Sequence, residues 1–118
     1  MANGDFITID YDQIRVKLLD AQVAADNGVW VEIPGGYTVK TYWASNLEEG
    51  AADATVDIMV SNAETKPADA TDGTIDLAMT TSTMAGTKQN TYRWIKAKKA
   101  TGTTPAATTI ILIAGRST

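Results

Sequence analysis

Residues 54 to 60 set Ala54, Val56, Ile58 and Val60 against Thr55, Asp57 and Met59, and this period of two constrains the fold more than any other feature of the chain. Consecutive side chains on a β-strand point to opposite faces, so strict alternation fits a half-buried strand and no helix. The same period recurs in Ile14-Arg15-Val16-Lys17-Leu18, in Val29 to Ile33 and in Arg93 to Lys98. From Tyr37 to Ala44 it places Tyr37, Val39, Thr41 and Trp43 on one side and Thr38, Lys40 and Tyr42 on the other. Thr108 to Ala114 is apolar on both faces, as befits a strand in the middle of a sheet. Thr and Ala, 18 of each, outnumber every other type, and abundant Thr favours pleated surfaces over helices. Residues 11 to 25 could form a helical face through Ile14, Leu18 and Leu19, but the interleaved Arg15 and Lys17 favour a strand.

Turn residues punctuate these runs. Asp26-Asn27-Gly28 and Pro34-Gly35-Gly36 bracket residues 29 to 33, so strands 29 to 33 and 37 to 44 are expected to form a hairpin. Gly50, Asp72-Gly73, Gly86 and Thr101 to Pro105 close the other segments. Six to eight short strands follow, and the expected fold is all-β: a single-domain antiparallel β-sandwich or small β-barrel over residues 1 to 118. Residues 61 to 91 read as a long loop carrying one short strand, 74 to 79, and residues 1 to 5 as a flexible N-terminal arm.

Charge divides the chain sharply. All ten Asp and four Glu end at Asp76; with four basic residues, the first 76 positions carry −10, whereas Lys88, Arg93, Lys96, Lys98, Lys99 and Arg116 give the remainder +6. No linker accompanies the division, so it marks two surfaces that meet within one molecule or between copies, not two domains. The strands at 91 to 99 and 107 to 115 that carry the basic half are expected in one continuous sheet system.

Several chemistries are excluded by residue type. Without Cys there is no disulfide or thiolate chemistry, and without His there is no Ser-His-acid relay and no imidazole metal ligand. The longest apolar run, Ile110 to Ala114, cannot cross a bilayer. The segment Met1 to Asp5 lacks the basic and apolar regions of a secretory signal, so folding in a cytoplasm is the expectation. Adjacent Glu48-Glu49 fit an exposed acidic turn better than a pair flanking a scissile bond. Asp69, Asp72, Gly73 and Asp76 carry loop oxygens, yet Ala68 and Ala70 interrupt the calcium-loop pattern, and Asp10-Tyr11-Asp12 is weaker still. No catalytic, metal or cofactor site is expected, and the chain is expected to be no enzyme.

Aromatic and basic residues carry the remaining functional signal. Trp30 lies out of phase with Val29, Val31 and Ile33, and Trp94 out of phase with Ile95 and Ala97, so both indoles point away from the core. They either form an exposed patch, suited to sugar rings or a protein partner, or pack beneath loops. Tyr92, Arg93, Trp94, Lys96, Lys98 and Lys99 could stack on bases and bind phosphates, but a pI near 4.6 argues against nucleic acid, and pairing with acidic partners is favoured.

The hairpin Val29 to Tyr37, the acidic strand followed by Ser61-Asn62, and the ending Tyr92 to Lys99 followed by Thr108 to Gly115 resemble the small β-rich virion proteins of tailed bacteriophages, of the capsid decoration (cement) type. The resemblance implies a non-enzymatic structural protein of the virion that binds other virion subunits, the major capsid protein or itself, as a homo-oligomer such as a trimer. It implies neither nucleic acid nor membrane as a partner. Trp30, Trp43, Tyr92, Arg93, Trp94, Lys96 and Lys98 are the expected interaction surface. A carbohydrate- or receptor-binding β-module that uses exposed Trp and Tyr is the alternative.

Overall fold

The alternating segments do form strands, and they pair into two antiparallel sheets in this computed structural model, which describes residues 3–9, 12–22, 24–45, 48–49, 52–53, 55–79, 85–100 and 108–116. In chain order the strands are β1 (Asp5–Ile9), β2 (Gln13–Gln22), β3 (Val31–Glu32), β4 (Tyr37–Ser45), β5 (Glu48–Glu49), β6 (Ala52–Asp53), β7 (Thr55–Ser61), β8 (Thr74–Met79), β9 (Ala85–Asn90), β10 (Trp94–Ala100) and β11 (Thr108–Arg116). The first sheet runs β1-β2-β11-β4-β9 and the second β3-β10-β7-β8, while β5 and β6 form a separate two-stranded ribbon. The fold is thus all-β, and the two sheets pack as a sandwich. After the β1-β2 hairpin the chain changes sheet at every connection except those within the β5-β6 ribbon and at β7-β8. The resulting orders, β2-β11-β4-β9 and β3-β10-β7-β8, are those of a double-sheet jelly roll with β1 added at one edge.

The core lies between the sheets. Ile14, Val16, Leu18, Tyr42, Ile110 and Leu112 from the first sheet meet Val31, Val56, Ile58, Val60, Ile95 and Ala97 from the second. On β11, Thr108, Ile110, Leu112 and Ala114 are buried while Thr109, Ile111 and Ile113 are only partly so, as expected of an apolar strand held between β2 and β4. Tyr42 is fully buried, and its hydroxyl donates to the Asp76 carboxylate at 3.1 Å, linking β4 to β8 across the sandwich. That bond supplies the partner a buried phenol requires.

Four expectations need correction. Val31–Glu32 and Tyr37–Ser45 do not form a hairpin: β3 pairs with β10, β4 pairs with β11 and β9, and Pro34-Gly35-Gly36 carries the chain from one sheet to the other. The basic strands β10 and β11 likewise belong to different sheets. A second strand, β9, occupies part of the stretch expected to be loop beyond β8. Asn3 to Asp5 are held in place, Gly4 N–H donating to Lys17 O at 2.8 Å and the Asn3 side chain accepting from Asp20 N–H at 2.8 Å. The turns expected at Gly50 and at 101 to 105, together with Asp10 and Tyr11, lie outside the described residues.

Two bulges reset the alternation. β4 pairs Thr41 with Ile113 and Val39 with Ala114, leaving Lys40 without an opposite residue. An extra residue reverses the phase of everything after it. Val39 and Tyr42 therefore both face the core, and Trp43 faces out with 47% of its surface exposed. On β2 the register slips between the pairs Ile110–Leu19 and Ile111–Lys17, and both Leu18 and Leu19 are buried. The Leu18-Leu19 pair that suggested a helical face is the mark of this irregularity.

The register predicts opposite outcomes for neighbours on β11. Leu112→Ala, which empties a fully buried site, should lower unfolding free energy by about 2–5 kcal/mol in urea titrations, whereas Ile113→Ala on the outer face should cost less than half as much.

Candidate functional site

The two outer faces of the sandwich differ, and the difference locates the surfaces available for function. On the four-stranded sheet, Trp30, Met59 and Trp94 form a second small cluster and are 2%, 5% and 7% exposed. The segment 62 to 73, between β7 and β8, covers them. Its backbone carbonyls take the donors of that face: Trp94 Nε1 donates to Ala63 O at 2.9 Å, Arg93 to Glu64 O at 2.7 Å, Trp30 Nε1 to Ala68 O at 3.0 Å, and Lys96 Nζ to Asp69 O at 2.6 Å. The Asp69 carboxylate accepts from Trp30 N–H at 3.2 Å, and Asn62 Oδ1 from Arg93 N–H at 3.0 Å. At the end of this strap Gly73 passes so close that a β-carbon would stand 2.5 Å from Val60 O and 2.7 Å from the Trp30 ring. Any side chain there would push the strap off the sheet.

Lys96 sits at the centre of the strap contact. It is fully buried on the outer face of β10, with Nζ 5.2 Å from the centroid of the Trp30 ring and 3.9 Å from the Asp72 carboxylate. Lys98 binds the same carboxylate at 3.0 Å. Burial pushes the Lys96 pKa below its ordinary value, Asp72 and Asp69 pull it back, and Lys98 lowers it further. Lys99, in phase with Ile95 and Ala97, is 1% exposed, and burial lowers its pKa as well. Its backbone bridges to Asp26 in both directions, at 3.1 and 2.8 Å.

These positions correct the expected interaction surface. Trp30, Trp94 and Lys96 are buried beneath the strap and form no exposed patch. Their out-of-phase placement was real, but the chain's own loop covers them. Trp43 is exposed, on the outer face of the other sheet, while Lys98 is half-buried against Asp72. Tyr92 and Arg93 lie at one end of the sandwich. The seven residues thus fall in three places. The acidic side chains weighed for calcium are likewise dispersed: Asp69 serves Trp30 and Lys66, Asp72 serves Lys96 and Lys98, and Asp76 serves Tyr42. Among the described residues no group of three or more carboxylates is placed to hold a metal ion.

Two open features remain. The first is the outer face of the five-stranded sheet, where Trp43 stands opposite Ile111 and Ile111 opposite Lys17, while Thr41 stands opposite Ile113 and Ile113 opposite Arg15. On this face Trp43 is exposed, and Thr41, Ile111 and Ile113 are partly exposed. Sequence reasoning named Trp43 but missed Ile111, Ile113, Arg15 and Lys17, although the apolar outer positions of residues 108 to 114 were the available signal. The second is a groove of about 410 Å³ between two crossovers, lined by Ile33 to Tyr37 on one side and Thr91 to Arg93 on the other. Ile33 N–H donates to Arg93 O at 2.9 Å, which fixes the crossovers side by side. Arg93 Nε meets Glu32 at 2.8 Å on its wall.

No family model matches the sequence, and neither a curated protein nor a solved structure matches the chain.

The buried ammonium makes a signed pH prediction. With its folded pKa below 10.5, Lys96 binds fewer protons in the native than in the unfolded state as pH rises through that interval, so its burial penalty is relieved and unfolding free energy gains with pH. Denaturant titrations at stepped alkaline pH should show this gain in the wild type and a smaller one in Lys96→Met, in which Lys99 still titrates. Equal slopes in the two proteins would contradict the assignment.

Proposed function

We propose that this chain is a non-enzymatic structural protein of a bacteriophage virion, a decoration protein that binds the capsid surface and its own copies. The observation that carries the reading is the contrast between the outer faces: one is sealed by a strap from the same chain, and the other presents Trp43, 47% exposed, beside partly exposed Ile111 and Ile113. An exposed indole on a sheet face is the kind of anchor on which protein interfaces concentrate their energy. Exposed Arg15 borders the patch, whereas Lys17 is already paired with Asp20 at 3.1 Å, so the complementary partner is an apolar surface with an acid opposite Arg15.

Other observations support a structural role. The carboxylates of 69, 72 and 76 are engaged in holding the strap and the two sheets together, which leaves them poorly placed for acid-base catalysis. The jelly-roll order is shared by viral capsid and lectin domains, an analogy of fold that raises the reading without deciding it. A decoration protein also needs to remain folded while docked on a rigid lattice, and a sandwich with one self-sealed face offers a single defined side for attachment.

The test is co-sedimentation with capsids. Trp43→Arg should keep the unfolding midpoint of the wild type, since the side chain lies outside the core, and should weaken capsid binding by at least about 2 kcal/mol, roughly thirty-fold. Capsid binding that survives Trp43→Arg unchanged would remove this face from the interface.

A further inference from the structure

We propose that the groove between the two crossovers is a binding site for a neutral saccharide, separate from the Trp43 face and independent of the decoration reading. The groove lies where the chain passes from β3 to β4 and from β9 to β10, and its volume of about 410 Å³ falls within the range of about 300–1,000 Å³ usual for small-molecule sites. Tyr37 and Tyr92 line it, each partly buried against the core, so both rings are held by packing while part of each remains accessible. Rings braced in this way offer an apolar face and a polar tip, the pairing that the C–H face and hydroxyl rim of a sugar ring require.

The charges of the lining select against ionic ligands. Arg93 donates to Glu32 at 2.8 Å and to Glu64 O at 2.7 Å and lies 5.3 Å from the Trp94 ring centroid. Its charge is balanced within the wall, and so is that of Glu32. The pair gives the groove no net charge but leaves the Glu32 and Arg93 side chains, 50% and 46% exposed, to exchange hydrogen bonds with hydroxyl groups. A lipid chain would offer those side chains no hydrogen-bond partner, and a phosphate or carboxylate ligand would be repelled by the Glu32 carboxylate beside Arg93.

Gly35 and Gly36 complete the site. At neither position would a β-carbon meet any atom within 4 Å, so the crossover presents bare backbone on its open side. Gly36 has φ of 90° and requires glycine, whereas Gly35 does not adopt a positive φ. Gly35, which lines the groove, can therefore accept a side chain without straining the fold.

The experiment titrates the intact protein with neutral oligosaccharides built from glucose, galactose, mannose or N-acetylglucosamine, alongside an anionic sialylated one and a proline-rich peptide, and reads amide chemical shifts. A neutral saccharide should shift the amides of Gly35, Gly36 and Tyr92, and Gly35→Phe should weaken its binding at least tenfold while the spectrum elsewhere and the unfolding midpoint stay unchanged. If Gly35→Phe unfolds, the wild-type shift pattern alone decides the location. Binding of the peptide or the anionic sugar alone, shifts elsewhere on the protein, or no response to any neutral saccharide at millimolar concentration would overturn the proposal. Capsid binding by Trp43→Arg reports on the other reading, so either can fail alone.

Discussion

A buried ammonium has to be surrounded by oxygen, and the outer side of the four-stranded sheet is organised round that requirement at Lys96. Removing a lysine from water costs several kcal/mol unless its charge and protons are met. Here the Asp69 carbonyl, the Trp30 ring and the Asp72 carboxylate meet it from three directions. Two of those groups belong to the segment 62 to 73, so the lysine is stable in its position only while that segment lies on the sheet. The same placement covers Trp30, Met59 and Trp94, which would otherwise form a broad exposed apolar patch. The indole N–H groups in turn bind carbonyls of the strap, so solvation of the cation and burial of the indoles require one another.

The charge division of the sequence takes its meaning from this arrangement. β10 carries cations on its outer face, and the segment that folds over it comes from the acidic part of the chain. Arg93 to Glu32, Lys98 to Asp72 and Lys96 to Asp72 all join a residue beyond 76 to one before it. The exposed pairs contribute little individually, since surface ion pairs are worth about 0–1 kcal/mol. Their collective effect is one of selection: a strap of the wrong sign would bring like charges onto β10, so the division favours this loop on this sheet. At the described contacts, much of the opposition between the two halves is satisfied inside the molecule.

How far the fold was legible depended on whether a feature was local. β7, β8, β10 and β11 were readable because alternation and β-branched content are properties of a few consecutive residues. Pro34-Gly35-Gly36 was readable as a turn but not as a change of sheet, because the backbone signals that permit a reversal are the same whether the chain pairs with itself or crosses the sandwich. The bulge at Lys40 was invisible in the residues, yet it turned Trp43 outward together with Tyr42 inward, contrary to neither residue's chemistry. Trp30 and Trp94 were correctly placed out of phase with the core, but what covers them is decided by a segment more than twenty positions away from each. Such tertiary cover leaves no periodic trace. The groove was equally unreadable, because it is made by two crossovers that become neighbours only when the sheets pack.

A jelly-roll strand order fixes neither partner nor ligand, so function has to be sought in what the order leaves open. One outer face is occupied by the strap, which leaves the other face and the crossover end. These lie at opposite ends of a single strand: Tyr37 begins β4 and lines the groove, while Trp43 stands six residues further on, about 20 Å at the usual rise per residue. The intervening strand is held on both sides, by β11 and β9, and forms part of a continuous sheet. A partner lying flat on Trp43, Ile111 and Ile113 would therefore leave the groove at the edge of the contact or beyond it. The fold can accordingly be attached through a face and still present an end, and this separation lets an assembly role and a recognition role coexist in one small domain.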